Sequence, residues 1–289
     1  MLNDKFSFRK GYRARAIFLI CNYAFLTFLL ISMVIPIWKL FVDSIDSSSV
    51  GMRLIPQEFS LAAYKVILNN SSLYRPFFVS VLTTVLGTAI GLTIITLGAY
   101  GLMQKNLPGH KFFGRVVLIT MMFNGGMIAT YLTYKNLGLT NNLLAVIIPV
   151  CVGAYNTILM RSFFEGLPAA LFDAAAIDGC SPFGTFLRIA LPLSKPALAS
   201  VGLFIAVAMW NDYMHFILYM TKPEWQNFQV KIRAMILEET LAVSTSDMGL
   251  GTDMLKSATI LVVVLPFMFV YPYLQKYFAK GVTIGAIKG

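Results

Sequence analysis

From Ala16 to Trp38 the chain runs without a single Asp, Glu, Lys or Arg, and from Pro76 to Met103 it does so again. Runs of this length constrain the fold more than any other feature. About 20 consecutive apolar residues in a helix match the roughly 30 Å hydrocarbon core of a bilayer. Hydrocarbon offers no partners for backbone N–H and C=O groups, so a spanning segment must satisfy them within itself. Four further stretches have comparable length and character. The sequence therefore predicts an all-α, polytopic membrane protein with six transmembrane helices over 16–42, 76–103, 112–133, 141–162, 197–220 and 254–279. The first run is too long for a cleaved signal peptide, and no A-x-A site follows it. Composition agrees: 57% of the 289 residues are hydrophobic and 12% are charged, against about 25% charged in soluble domains.

Charge sets the expected orientation. With the N-terminus in the cytoplasm, the inner segments hold Lys5, Arg9, Lys10, Arg13, Arg15, Lys105, Lys111, Arg115, Arg161, Arg188, Lys195, Lys276, Lys280 and Lys288. Their acids are only Asp4, Glu165, Asp173 and Asp178. The whole surplus of +10 thus falls on one side, as the positive-inside rule expects. A basic balance explained this way calls for no nucleic-acid partner. The expected organisation is a cytoplasmic tail over 1–15, a first transmembrane helix over 16–42, a five-helix core over 76–279 and a cytoplasmic tail over 280–289. Cys21, Cys151 and Cys180 lie far apart, and His110 and His215 form no cluster, so neither a disulfide framework nor a metal site is expected.

One stretch breaks the apolar pattern, "FDAAAIDGCSPFGTFLRIALPLSKP" over 172–196. Pro168 suits the first turn of a helix. Leu171, Ala174, Ala175 and Asp178 then fall on one helical face of small residues. Gly179 can end that helix with positive φ. Ser181 and Pro182 read as a cap and first helical position of a second helix. Phe183, Phe186, Leu187, Ala190 and Leu191 make that helix's apolar stripe. Pro192 and Pro196 end it ahead of the fifth span. The segment 165–196 is thus a helix–corner–helix on the cytoplasmic side. It serves either as an interfacial anchor or as a knob whose aromatic side chains fit a partner's groove.

Asp173-Ala174-Ala175, then Gly179, then Ile189, Leu191 and Pro192, resemble the EAA---G---------I-LP motif of permease subunits in ATP-binding-cassette importers. "AAAIDG…F…I.LPLSKP" is most similar to the sugar-importer branch, in the manner of the second maltose-system permease. "FNGGMIATYLTYKNLGLTNN" (123–142), "WND" (210–212) and "QKYFAKGVTIGAIKG" (275–289) resemble the subgroup importing oligosaccharides derived from complex polysaccharides. Asp173 stands where that family usually has Glu, and Cys180 replaces a common Ala. The resemblance implies that 165–196 is a coupling helix contacting an ATPase subunit through Asp173, Ala174, Ala175, Asp178, Gly179, Phe183, Phe186 and Arg188. It implies that the tail reaches the ATPase through Gly281, Ile284, Gly285 and Lys288. The implied partners are a second permease subunit, two ATPase subunits, an extracellular solute-binding protein and an oligosaccharide, in a bacterial cytoplasmic membrane with its lipid.

No ATPase site is expected in the chain itself. The nearest frame to a P-loop, Gly179 to Thr185, has Thr185 where the phosphate-binding lysine belongs. ATP would act on partner subunits, and no cofactor is expected here. Candidate solute contacts combine aromatic faces with amides: Asn124 in the third span, Tyr155 and Asn156 in the fourth, and Trp210, Asn211, Asp212 and Tyr213 in the fifth. Interfacial anchoring and helix–helix hydrogen bonding are the competing explanations for such residues. A secondary carrier is disfavoured because no buried acid pair appears near a midplane. A non-sugar cargo and a scaffold without an ATPase remain as alternatives.

Overall fold

The computed structural model describes residues 13–48, 53–123, 125–242, 253–262, 264 and 268. The described residues are overwhelmingly helical, and an isolated antiparallel bridge joins Asp46 to Phe59. They fall into two units, one within 1–69 and 239–262, the other within 70–238 and 263–289.

In the first unit, α1 (Arg13–Ile45) is one helix of 33 residues, about 50 Å long. Its side chains are apolar on every face, and Phe18, Phe25 and Met33 are all more than half exposed. A helix that is apolar all round is stable where lipid surrounds it. Beyond α1 the chain folds back. Ser60 N donates to Ile45 O at 2.8 Å, and Ser47 N to Glu58 O at 3.1 Å. Trp38 Nε1 donates to Leu54 O at 2.9 Å. Tyr64, on α2 (Ala62–Asn69), donates its hydroxyl to Ser44 Oγ at 2.8 Å. Asp46 holds this turn together. Its carboxylate accepts from Ser48 N, Ser48 Oγ, Gln57 N and Glu58 N. Burial raises the pKa of Asp46, but these hydrogen bonds outweigh burial and bring it to about 2, below the ordinary 3.8.

In the second unit, α3 (Tyr74–Met103) is the central helix, packed by α6 (Leu144–Cys151), α7 (Ala154–Glu165) and α11 (Lys195–Trp210). Close approach comes from glycine. A Cβ on Gly87 would lie 2.7 Å from Met209 Cε, and one on Gly91 would lie 3.6 Å from Cys151 Cα. Gly87 and Gly91 are four apart on one face, the small-xxx-small spacing that lets membrane helices touch through their backbones. Gly202 returns the contact, with Leu92 against it. The resulting core holds Ile95, Ala99, Met160, Phe164, Val201, Ile205 and Met209.

Three expected spans are not continuous helices. The segment 112–133 is α4 (His110–Met122) and α5 (Met127–Asn136), interrupted before Gly126, whose φ of 80° no ordinary L-residue adopts readily. The segment 141–162 is α6 and α7, with the interruption at Val152-Gly153, soon after Pro149; proline withholds a backbone N–H from the helix. The segment 197–220 is α11 and α12 (Met214–Tyr219), parted at 211–213. Of the expected sixth span, 253–262 is helical, and much of the remainder lies outside the described residues. Among the described residues, Arg15–Ile45, Ser71–Met103 and Leu144–Glu165 are long and apolar enough to cross a membrane.

Two outcomes test this packing. Gly87→Leu should overpack the α3–α11 contact and cost about 1–3 kcal/mol, while Gly91→Ala should be nearly neutral; thermal unfolding in detergent reads both. For Asp46, the depressed carboxyl contributes stability fully above pH 3.8, and this is lost as pH falls through about 2. Asp46→Asn should therefore lower the melting temperature at neutral pH, with the difference from wild type shrinking as pH falls through that window.

Candidate functional site

Helix α7 ends at Gly166, and Pro168 sits in extended conformation as the cap of α8 (Ala169–Ile177), one position before the first turn where the sequence put it. The end of α8 is closed by two hydrogen bonds, Cys180 N to Ala175 O and Gly179 N to Ala176 O. Together they make a Schellman motif, which requires a left-handed residue. Gly179 supplies it at φ 72°. Ser181 then caps α9 (Pro182–Thr185) by accepting from Gly184 N at 3.1 Å, with Pro182 in the first turn. The next turn, Phe186–Ala190, is a π-helix in which Leu191 N donates to Phe186 O. After α10 (Leu191–Leu193), the chain turns through 81° into α11. Ser194 lies at the turn, with its hydroxyl buried and unpaired. Helix, corner, helix and proline-delimited exit thus appear in the order the sequence predicts.

What seats this segment is an aromatic trio. Phe186 is buried, with its ring 4.9 Å from Tyr100 on α3 and 6.5 Å from Phe164 on α7; those two rings are 5.8 Å apart. The Tyr100 hydroxyl donates to Pro182 O at 3.1 Å. Phe186 was expected to face a partner, and it faces inward instead. The ring of Phe183 lies 6.1 Å from that of Phe186 on the same side of the helix, but farther from α3 and α7. Phe183 stays 62% exposed. Asp173, Ala174, Asp178, Gly179 and Arg188 are exposed, while Ala175 is buried. Asp173, Asp178 and Arg188 make no ion pair among the described residues. Ile177, absent from the expected face, is 86% exposed. The signal available for it was a large aliphatic residue beside two acids at the end of a helix. The outward surface is therefore an apolar pair, Ile177 and Phe183, flanked by two carboxylates.

The solute-path candidates all lie at the interruptions. Tyr155 is exposed and Asn156 half-buried at the start of α7, beside Gly153. Asn124 lies outside the described residues, between α4 and α5. Trp210 is buried, edge-on to Phe77 at 6.0 Å and tilted against Phe228 at 6.5 Å. Asn211 is exposed, with its amide turned back onto Val207 O. Asp212 accepts from His215 N and lies 2.9 Å from His215 Nδ1. Its backbone carbonyl accepts from Asn227, which also caps α13 (Phe228–Ala242) through Val230 N. Tyr213 lies under the Arg233 guanidinium at 4.7 Å. Trp210 and Asp212 thus fasten the end of α11 to α3 and α13. Sequence reasoning also missed a column of nearly parallel rings, with Tyr219 stacked against Tyr134 at 5.0 Å, Tyr131 at 6.1 Å and His215 at 6.0 Å. The tail candidates Gly281, Ile284, Gly285 and Lys288 lie outside the described residues.

Apolar spanning helices around a glycine-packed centre, with a polar-edged segment inserted before the fifth span, describe a membrane permease. The chain belongs to the family of binding-protein-dependent transport system inner membrane components, which matches residues 91–284. The polygalacturonan/rhamnogalacturonan transport system permease protein YtcP of Bacillus subtilis is 41% identical over 241 residues, 82% of this chain and 84% of that one. The arabinooligosaccharides transport system permease protein AraQ of the same organism is 29% identical, over 91% of this chain and 94% of that one. A bacterial ABC transporter involved in the import of the acidic polysaccharide alginate contains a similar chain. It superposes with a TM-score of 0.85 at 30% identity, covering 92% of this chain and 98% of the other.

Phe186→Ala should cost about 3 kcal/mol and loosen the segment. Phe183→Ala should leave thermal stability nearly unchanged. Limited proteolysis between Glu165 and Lys195 would read the difference.

Proposed function

We propose that the chain is the permease subunit of an ATP-driven importer of oligosaccharides, providing half of the translocation pathway. The full chain crosses the bacterial cytoplasmic membrane six times, with both termini in the cytoplasm. A second, distinct permease chain supplies the other half. Two ATPase subunits bind ATP, and this chain has no nucleotide site of its own. An extracellular solute-binding protein delivers the cargo.

The observation that carries this reading is the segment 165–196. It ends in exposed Ile177 and Phe183 with unpaired Asp173 and Asp178, while Phe186 anchors it to α3 and α7. Such a surface fits a groove that is apolar at its floor and basic at its rim. A push on it travels into the bundle through the trio, and the hinge at Ser194 lets the segment rotate against α11. The C-terminal tail, through Gly281, Ile284, Gly285 and Lys288, makes a second ATPase contact. The path candidates fit solute passage because non-helical backbone at membrane depth is tolerated where it lines a cavity or is buried in protein. The carbohydrate class is supported by the names of the similar permeases and by the alginate importer.

Phe183→Asp and Gly179→Pro test the coupling role. In proteoliposomes carrying the whole assembly and binding protein, each should cut solute-stimulated ATP hydrolysis and uptake together. The expected loss for Phe183→Asp is roughly thirtyfold, as for a buried hot-spot residue. Membrane insertion and the second permease should be unaffected. Wild-type uptake in both variants would sink the coupling role, and uptake driven by an ion gradient without ATP would sink the importer class.

A further inference from the structure

The charge-free run of α1 that begins at Ala16 ends at Trp38, and Lys39 and Asp43 follow it as an ion pair. From Ala16 to Trp38 a helix rises about 33 Å, enough to cross the roughly 30 Å of hydrocarbon. Trp38 therefore marks the level where hydrocarbon gives way to head groups, a depth at which tryptophan is enriched. From Trp38 to Ile45 the helix climbs about 10 Å more, through the head-group zone.

The chain then comes back toward the membrane. Asp46 accepts from Gln57 N and Glu58 N and so fixes the fold-back beyond the end of α1. A few residues earlier in the chain, Leu54 O accepts from the Trp38 indole at 2.9 Å. Helical side chains lean toward the N-terminus, so this bond holds Leu54 at the level of Trp38. The returning stretch is apolar at that level and polar above it. Leu54 is 48% exposed and Ile55 76% exposed, with Pro56 after them. Arg53 turns away to Gln57 Oε1 at 2.7 Å. Higher up, Ser47 Oγ donates to Glu58 and Ser48 Oγ to Asp46. Phe59, on the bridge to Asp46, is exposed within the head-group zone, where interfacial segments bury such rings. Depth decides what covers Leu54 and Ile55. Ile31, Val34, Ile35 and Trp38 lie exposed on one face of α1, and in a spanning helix that face meets lipid. The indole bond continues the same surface onto Leu54.

We propose that Leu54, Ile55 and Pro56 form an interfacial anchor that dips into lipid at the C-terminal end of α1. Its partner is the bilayer at the boundary of head groups and acyl chains, in the outer leaflet for the orientation proposed above. The Trp38 indole holds it at that depth, and the Asp46 carboxylate folds the chain back to reach it. The anchor stops α1 from sliding along the membrane normal, because Ile55 would leave lipid if the helix rose and Asp46 would enter it if the helix sank. The inference rests on α1 crossing the bilayer and is independent of the cargo and of the ATPase.

The test uses the complete transporter in phospholipid nanodiscs, in a background of Cys21→Ser, Cys151→Ala and Cys180→Ser. A single spin label is placed by Phe28→Cys, Ile55→Cys or Glu58→Cys. Power saturation compares collisions with oxygen, which gathers in hydrocarbon, and with a nickel chelate, which stays in water. The label at position 28 should report hydrocarbon and that at 58 should report water. The label at 55 should favour oxygen over nickel several-fold more than the label at 58. Adding Trp38→Phe, which keeps an apolar ring but removes the N–H, should bring the ratio at 55 toward that at 58. Equal ratios at 55 and 58 overturn the anchor, and so does an unchanged ratio at 55 with Trp38→Phe. A label at 55 shielded from both reagents overturns it too, and a cross-link from Ile55→Cys to the second permease chain would give the patch to protein. Should Trp38→Phe fail to assemble, the comparison of 55 with 58 still decides. Water at position 28 would instead refute α1 as a span, and with it the reading on which the anchor rests; hydrocarbon at 28 with water at 55 removes the anchor alone.

Discussion

Every backbone N–H and C=O that enters hydrocarbon must find its partner inside the protein, and the rest of the architecture follows from that. Where the chain is apolar for some thirty residues it answers with one long helix, as in α1 and α3, even across Pro36 in α1. Where helices must touch, the constraint changes from hydrogen bonding to space, because lipid supplies no hydrophobic force to press helices together. Gly87, Gly91 and Gly202 then let α3, α6 and α11 approach until backbone meets side chain. The centre is rigid because it is close-packed. The regions that can carry function are those where the helical ladder is interrupted, and each interruption needs a local device to satisfy it. At 211–213 that device is Asp212, His215 and Asn227. At the end of α8 it is the Schellman turn at Gly179 and the cap at Ser181.

The inserted segment is anchored to the bundle rather than afloat beside it. A helix that merely floated in the head groups would need an apolar face toward lipid and a polar face toward water. Here the largest buried side chain of the segment, Phe186, points into the protein, and Tyr100 ties the backbone of Pro182 to α3. The exposed side carries Ile177 and Phe183, which gain nothing from water and would be covered by a partner. The unpaired hydroxyl of Ser194 sits at the 81° turn. An unsatisfied buried group costs roughly 1–3 kcal/mol, so a rotation that gave it a partner would favour a second arrangement of segment and α11. In the proposed importer, a two-state element of that kind is what the ATPase subunits would bias.

Local chemistry made the corner legible in advance. Gly179, Ser181 and Pro182 act through their own backbone and nearest neighbours, so their roles follow from residue type and spacing alone. Phe183 and Phe186 show where that reasoning stops. Both belong to one helical stripe in the sequence, and their rings still lie 6.1 Å apart, but Tyr100 and Phe164 cover Phe186 and leave Phe183 outside. Which member of an apolar stripe is covered depends on neighbours from α3 and α7, and spacing along the segment does not reveal them. The spans show the same division. Length and hydropathy pointed to the long helices over Arg15–Ile45, Ser71–Met103 and Leu144–Glu165, but the interruptions before Gly126, at 152–153 and at 211–213 depend on tertiary partners that free the backbone to leave the ladder. Trp210 and Asp212 looked like solute contacts because, with Asn211 and Tyr213, they combine aromatic faces with hydrogen-bonding groups. Their observed partners, Phe77, Phe228, His215 and Asn227, are distant in sequence or recognisable only once α12 and α13 are placed.

Glycine has two opposite uses along α3, and its neighbours decide between them. At 87 and 91 a missing side chain lets another helix in; at 98 and 101 it leaves a space open among the described residues. The same residue type therefore brings helices into contact along one part of α3 and leaves room beside it along another.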